Sequence, residues 1–145
     1  MRADVFIDSG AFIAYLVRAD RLHGEVAELF QGPAPIWSTS TLVVAETYSW
    51  FLHRHGEDAA RLFRGLLDDL PGMQVFDPDA AHRRQVWSVL DALRGQRLTF
   101  VDASSLVWIE GKRIPVVWGA DHHLGLQGAT VVPGPPAASG RRRRG

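Results

Sequence analysis

The chain has 145 residues, with 16 Lys plus Arg against 16 Asp plus Glu, no cysteine and a formal net charge of zero. A chain of this length buries about two-thirds of its extended surface on folding, enough for one domain with its own core, and the lack of cysteine excludes a disulfide framework, a thiolate zinc site and a cysteine nucleophile. Arg141 to Arg144 supply four of the cations, so the first 140 residues carry 12 against 16, a net charge of minus four that excludes a wholly basic nucleic-acid coat.

Met1-Arg2-Ala3-Asp4 runs into an apolar stretch that Asp8 ends, too short and too acidic for a signal sequence or a membrane span. The expected location is the cytoplasm. Val5-Phe6-Ile7, Asp8-Ser9-Gly10 and Ala11 to Leu16 read as strand, turn and helix. Leu22 to Phe30 predicts a second helix, stopped by Gly32-Pro33, and Pro35 to Ser38 a second strand. A helix capped by Ser40 or Thr41 runs to about His55, and an amphipathic one from Glu57 to Leu70 ends at Pro71-Gly72. Met73 to Phe76 is a third strand. Pro78, near a first helical position, opens a helix to Gly95, and Thr99 heads another to Lys112. Val116 to Trp118 and Thr130 to Val132 complete the strands. Short apolar strands separated by helices predict a three-layer α/β/α domain over residues 1–132, with a central parallel sheet of four to five strands. Residues 133–145, rich in Pro, Gly and Arg, read as a disordered tail.

Four carboxylates stand where a solvated charge is not expected. Asp8 and Asp121 follow strands, at the edge where open α/β sheets bind ligands. Glu46 shares a helical wheel face with Leu42, Val43, Trp50 and His53, an apolar setting that would desolvate it. Asp102 lies three residues after Thr99, a capping-box spacing at a helix start. Each has a plain structural alternative: an Asx-turn or cap for the aspartates, an arginine or His53 partner for Glu46. Together they can converge on one acidic pocket. Like charges 4 Å apart repel by about 4 kcal/mol at an effective dielectric near 20, so such a pocket calls for a divalent cation, and oxygen ligands favour Mg2+ or Mn2+ over zinc. A cation there suits phosphodiester hydrolysis by an activated water. Ser9 and Thr99 are natural hydroxyl donors to these acids.

The run Val5 to Leu16 resembles the opening of PIN domains, a hydrophobic strand ending in Asp followed by Ser or Thr. Ser40 to Thr47 is similar to the second motif of that family, Leu98 to Ala103 to the third, and the spacings between the four acids fit it. The size resembles VapC-like toxins of type II toxin-antitoxin pairs. The resemblance implies a Mg2+- or Mn2+-dependent endoribonuclease acting on an RNA substrate, inhibited by a cognate antitoxin protein, forming a homodimer, with Asp8, Glu46, Asp102 and Asp121 as the acidic quartet. His23 stands where these domains often carry histidine. Gly119 departs from the pattern, since Thr or Ser usually precedes the fourth acid by two residues, and this makes Asp121 the weakest of the four assignments.

Other readings are less well supported. Neither His53 with His55 nor His122 with His123 has the spacing of a helical zinc motif. A phospho-acceptor receiver needs paired acids in the first turn and a lysine after a late strand, whereas Asp4 is distant from Asp8 and Lys112 precedes the fourth strand. A catalytically inert PIN-like module that binds RNA or protein is the principal alternative. Trp50, Trp87 and Trp108 read as core side chains, while Arg54, Arg94 and Arg97 read as solvated surface.

Overall fold

The computed structural model describes residues 2–135, so most of the expected tail, including its four arginines, lies outside the described residues. Strand β1 (Val5–Ile7) leads to α1 (Ser9–Leu16) and α2 (His23–Gln31), then β2 (Trp37–Ser40), α3 (Thr41–His55), α4 (Glu57–Asp69) and β3 (Gln74–Phe76). Helices α5 (Ala80–Ala92) and α6 (Phe100–Gly111) precede β4 (Val116–Gly119), a 3-10 turn (His122–Gly125) and β5 (Thr130–Pro133). The five strands form one parallel sheet in the order β3-β2-β1-β4-β5. Right-handed crossovers place α1 to α4 on one face and α5 with α6 on the other, the expected three layers.

Every residue of β1 is buried, as a central strand covered on both faces requires. Its neighbour β2 is equally buried although it reads Trp-Ser-Thr-Ser. The hydroxyls are satisfied across the sheet: Ser38 donates to the Val5 carbonyl at 2.9 Å and Thr39 to the Ile7 carbonyl at 2.8 Å. Ser40 instead caps α3, accepting from the Val43 amide at 3.2 Å. The strand starts at Trp37, two residues later than the sequence suggested. Pro35 has no N–H to contribute, and the Ile36 amide is held by the Asp4 carboxylate at 3.1 Å. On α5 the cap is Asp79, which accepts from the His82 amide at 2.8 Å, so Pro78 sits just outside the helix rather than in its first turn.

An aromatic cluster joins the four helices of the first layer. Phe12 meets Phe63 edge-on at 5.2 Å, Phe63 stacks near Phe51 at 6.0 Å, and Phe30 stacks on Tyr15 at 4.5 Å. His23 ties α2 back to α1 by donating from Nδ1 to the Ala14 carbonyl at 2.8 Å, a structural task for that histidine. In the opposite layer His82 stacks on Trp108 at 4.1 Å and its Nε2 lies 2.7 Å from the Ser104 hydroxyl, while burial holds its pKa below the ordinary histidine value. Trp87 departs from the expected core: it is 51% exposed on the outer face of α5. No helix among the described residues is long and apolar enough to cross a membrane.

Candidate active site

Connections leave β1 and return to β4 on opposite faces of the sheet, which makes the gap beyond the carboxyl ends of these two strands the topological switch point. Asp8 sits in that gap. Its amide continues the ladder to the Trp118 carbonyl at 2.9 Å, and it occupies the N-cap position of α1. Its side chain nevertheless makes no capping hydrogen bond. Asp8 is only 7% exposed, and among the described residues no lysine or arginine lies within 4.0 Å of its carboxylate. Burial, and after it the charges of Glu46, Asp102 and Asp121, push its pKa up to about 7 against a smaller opposing effect of the Ser9 backbone amide. A turn or capping role therefore does not account for this aspartate.

Glu46 is placed differently from the sequence expectation. The buried stripe of α3 is Val43, Thr47 and Phe51, and Glu46 lies beside it on the exposed side of the helix. His53 is not its partner, since His53 Nδ1 faces the Ser49 carbonyl at 2.9 Å. Partial desolvation of the carboxylate still raises its pKa, reinforced by Asp102 and Asp121, while the Ser9 side chain lowers it. Glu46 is thus the outer, exposed acid and Asp8 the inner, buried one.

For Asp102 the capping reading holds, and the carboxylate also lies close enough to the other acids to act on them. It completes a capping box, accepting from the Thr99 amide at 3.2 Å while its own amide donates to the Thr99 hydroxyl at 3.1 Å. Its charge also acts on Asp8 and Glu46. Asp121 heads the 3-10 turn, which the hydropathy pattern did not reveal. Its Oδ1 accepts from the His123 amide at 2.9 Å and lies 2.9 Å from His123 Nδ1. The sequence already set the pair His122-His123 next to Asp121; what it did not show is that the backbone turn folds the His123 imidazole back onto the Asp121 carboxylate.

Asp8 and Glu46 are thus within electrostatic reach of each other and of both Asp102 and Asp121, with none of the four neutralised by a guanidinium among the described residues. Their closeness has a limit. Among the described residues, the trio with ligand atoms all within 4.8 Å of one another is Asp121, His122 and His123, whereas no three of the four acids converge so tightly.

Gly119 lies against Asp8. A Cβ at that position would stand 3.2 Å from the Asp8 Cβ and 3.7 Å from its Oδ2. The missing hydroxyl of the fourth motif therefore coincides with close packing of β4 on Asp8. Gly119→Ala is expected to lower stability by about 1–3 kcal/mol through overpacking, and to slow any catalysis that depends on Asp8 rather than improve it. Thermal melts and turnover of the variant check both effects.

A family model described as PIN domain matches residues 5–125 of the chain. The chain belongs to the PIN domain family. Among solved structures, this PIN domain is similar to the Mycobacterium tuberculosis toxin VapC20, described as sarcin-ricin loop cleaving, at 25% identity and a TM-score of 0.79 over 87% of this chain and 96% of that one. A toxin-antitoxin complex from Klebsiella pneumoniae (17% identity, TM-score 0.56, 88% and 95% coverage) and FitAcB from Neisseria gonorrhoeae (16%, 0.64, 88% and 95%) share its fold. No curated protein matches the sequence.

Proposed function

We propose that this PIN domain is the toxin of a type II toxin-antitoxin pair, an endoribonuclease that hydrolyses RNA phosphodiesters with water as the nucleophile and Asp8, Glu46, Asp102 and Asp121 as its catalytic acids. The observation that carries the reading is Asp8: a buried carboxyl at the switch point, without a side-chain capping bond or, among the described residues, a basic partner, and with three further acids acting on it. Such a set suits a hard divalent cation, Mg2+ or Mn2+, because all its donors are oxygens and their charges require neutralisation. Bound there, the cation supplies Lewis-acid chemistry, lowering the pKa of water and screening the scissile phosphate. The protein supplies the placement. Asp8 is the inner, buried acid, the Ser9 side chain steadies Glu46, the Thr99 capping box sets the angle of Asp102, and His123 fixes one oxygen of Asp121.

The likeness to VapC20 and to a toxin-antitoxin complex supports an antitoxin partner; the homodimer and action in the cytoplasm rest on the family resemblance alone. The first substrate to try is ribosomal RNA containing the sarcin-ricin loop, with total RNA beside it. Cleavage is expected with Mn2+ and is expected to disappear with chelator. RNA binding that persists without cleavage in saturating Mn2+ would instead identify an inert module.

A further inference from the structure

The aromatic and cationic surface beside the acids is not used by the chemistry above. Phe100, the first residue of α6, stands two residues before Asp102, and its ring meets the exposed Trp87 edge-on at 5.3 Å. On the other side Phe100 lines a cavity of about 290 Å3 between the first turns of α3, α5 and α6, walled also by Leu42, Pro78 and Arg83. Leu42 lies one helical turn before Glu46. Asp79 also borders this cavity, but its carboxylate caps α5. Arg83, Arg84, Arg94 and Arg97 are exposed, and among the described residues none has a carboxylate within 4.0 Å.

We propose that Phe100 and Trp87 form a stacking platform for an unpaired base of the RNA, with Arg83 on the adjoining phosphate. Aromatic rings beside a guanidinium that has no carboxylate within 4.0 Å among the described residues match single-stranded RNA, whose bases stack on aromatic rings while cations follow the backbone. Continuity with the acids favours RNA over other occupants: the cavity's Leu42 lies one helical turn before Glu46 on α3, and its Phe100 belongs to the same first turn of α6 as Asp102. An acidic body that repels phosphate also needs a local cationic approach, and Arg83 at the wall of the cavity supplies it. The inference rests on the ribonuclease reading and adds to it where the substrate strand lies.

The test uses full-length protein carrying Asp8→Asn, so that RNA is bound without being cut, and reads anisotropy of a short labelled single-stranded RNA. Trp87→Ala is expected to weaken binding about tenfold, with Trp87→Phe restoring most of it. Phe100→Leu, which keeps apolar volume where alanine risks unfolding, is expected to weaken it similarly, and Arg83→Ala to reduce the salt slope by about one. With the acids intact, Trp87→Ala raises KM and leaves kcat within about twofold. Unaltered affinity and KM in the Trp87 and Phe100 variants overturn the platform and leave the nuclease reading intact. If Trp87→Ala instead converts a dimer to monomer with RNA affinity unchanged, the patch faces a second copy and the inference fails. Absence of both cutting and binding by the wild-type chain in Mn2+ overturns the two readings together.

Discussion

Asp8→Asn is expected to lower RNA cleavage by at least about a thousandfold without lowering the melting temperature, measured as single-turnover cutting in Mn2+ beside a thermal melt. The exchange replaces one oxygen by an amide of nearly equal size and removes the charge that a cation would require. Because β1 is pinned on both sides, the neighbouring acids have no easy way to move in and compensate. Glu46→Gln is expected to cost less, on the order of a hundredfold, since this outer side chain is exposed and one water can take part of its place. Combining the two is expected to give little more than Asp8→Asn alone, the mark of residues acting as one unit. Asp102→Asn is the informative companion, because an amide oxygen can still accept from the Thr99 amide and keep the capping box while the charge is lost. Full activity in Asp8→Asn would remove the catalytic assignment.

The same substitution is expected to stabilise the protein when divalent ions are chelated. The folded pKa of Asp8 stands near 7 against an ordinary value of 3.8, so ionising it in the fold is unfavourable. The sign follows from linkage. The penalty is absent below the unfolded pKa, grows as the pH rises between the two values, and is complete above the folded one. At about 1.4 kcal/mol per pKa unit it amounts to about 4 kcal/mol at pH 8, an upper bound for the gain from asparagine and on the order of 10 °C in Tm. The difference between Asp8→Asn and wild type is expected to shrink toward zero as the pH approaches 4. Adding Mn2+ reverses the order: the wild type gains stability, more at pH 8 than at pH 6, because Asp8 must release its proton to bind a cation. A wild type more stable than Asp8→Asn at pH 8 in chelator would contradict the desolvation argument.

Much of this was legible in the sequence because the signals are local and repeated. Val5-Phe6-Ile7 followed by Asp8, and Thr99 followed by Asp102, each carry strand or helix, boundary and acid within a few residues, and both are as expected. The sheet order adds what one segment cannot show, that the ends of β1 and β4 share one gap. Glu46 was misplaced because the wheel face drawn through Leu42 and Trp50 lies to one side of the true buried stripe, and only packing against neighbouring elements decides such a rotation. Trp87 was misread for a related reason: the inner face of α5 is taken by His82 and Val86, which leaves the indole outside. The turn at His122 has no hydrophobic period, so the contact between His123 and Asp121 emerges only with the backbone folded.

The hydroxyls of Ser38 and Thr39, bound to the carbonyls of β1, have a consequence for how such a protein can diversify. They lock the plank that carries the buried acid to its neighbour by side chains as well as by backbone, so the cutting apparatus inherits its geometry from the middle of the sheet. Helix exteriors can then drift toward new targets while the blade stays where it is.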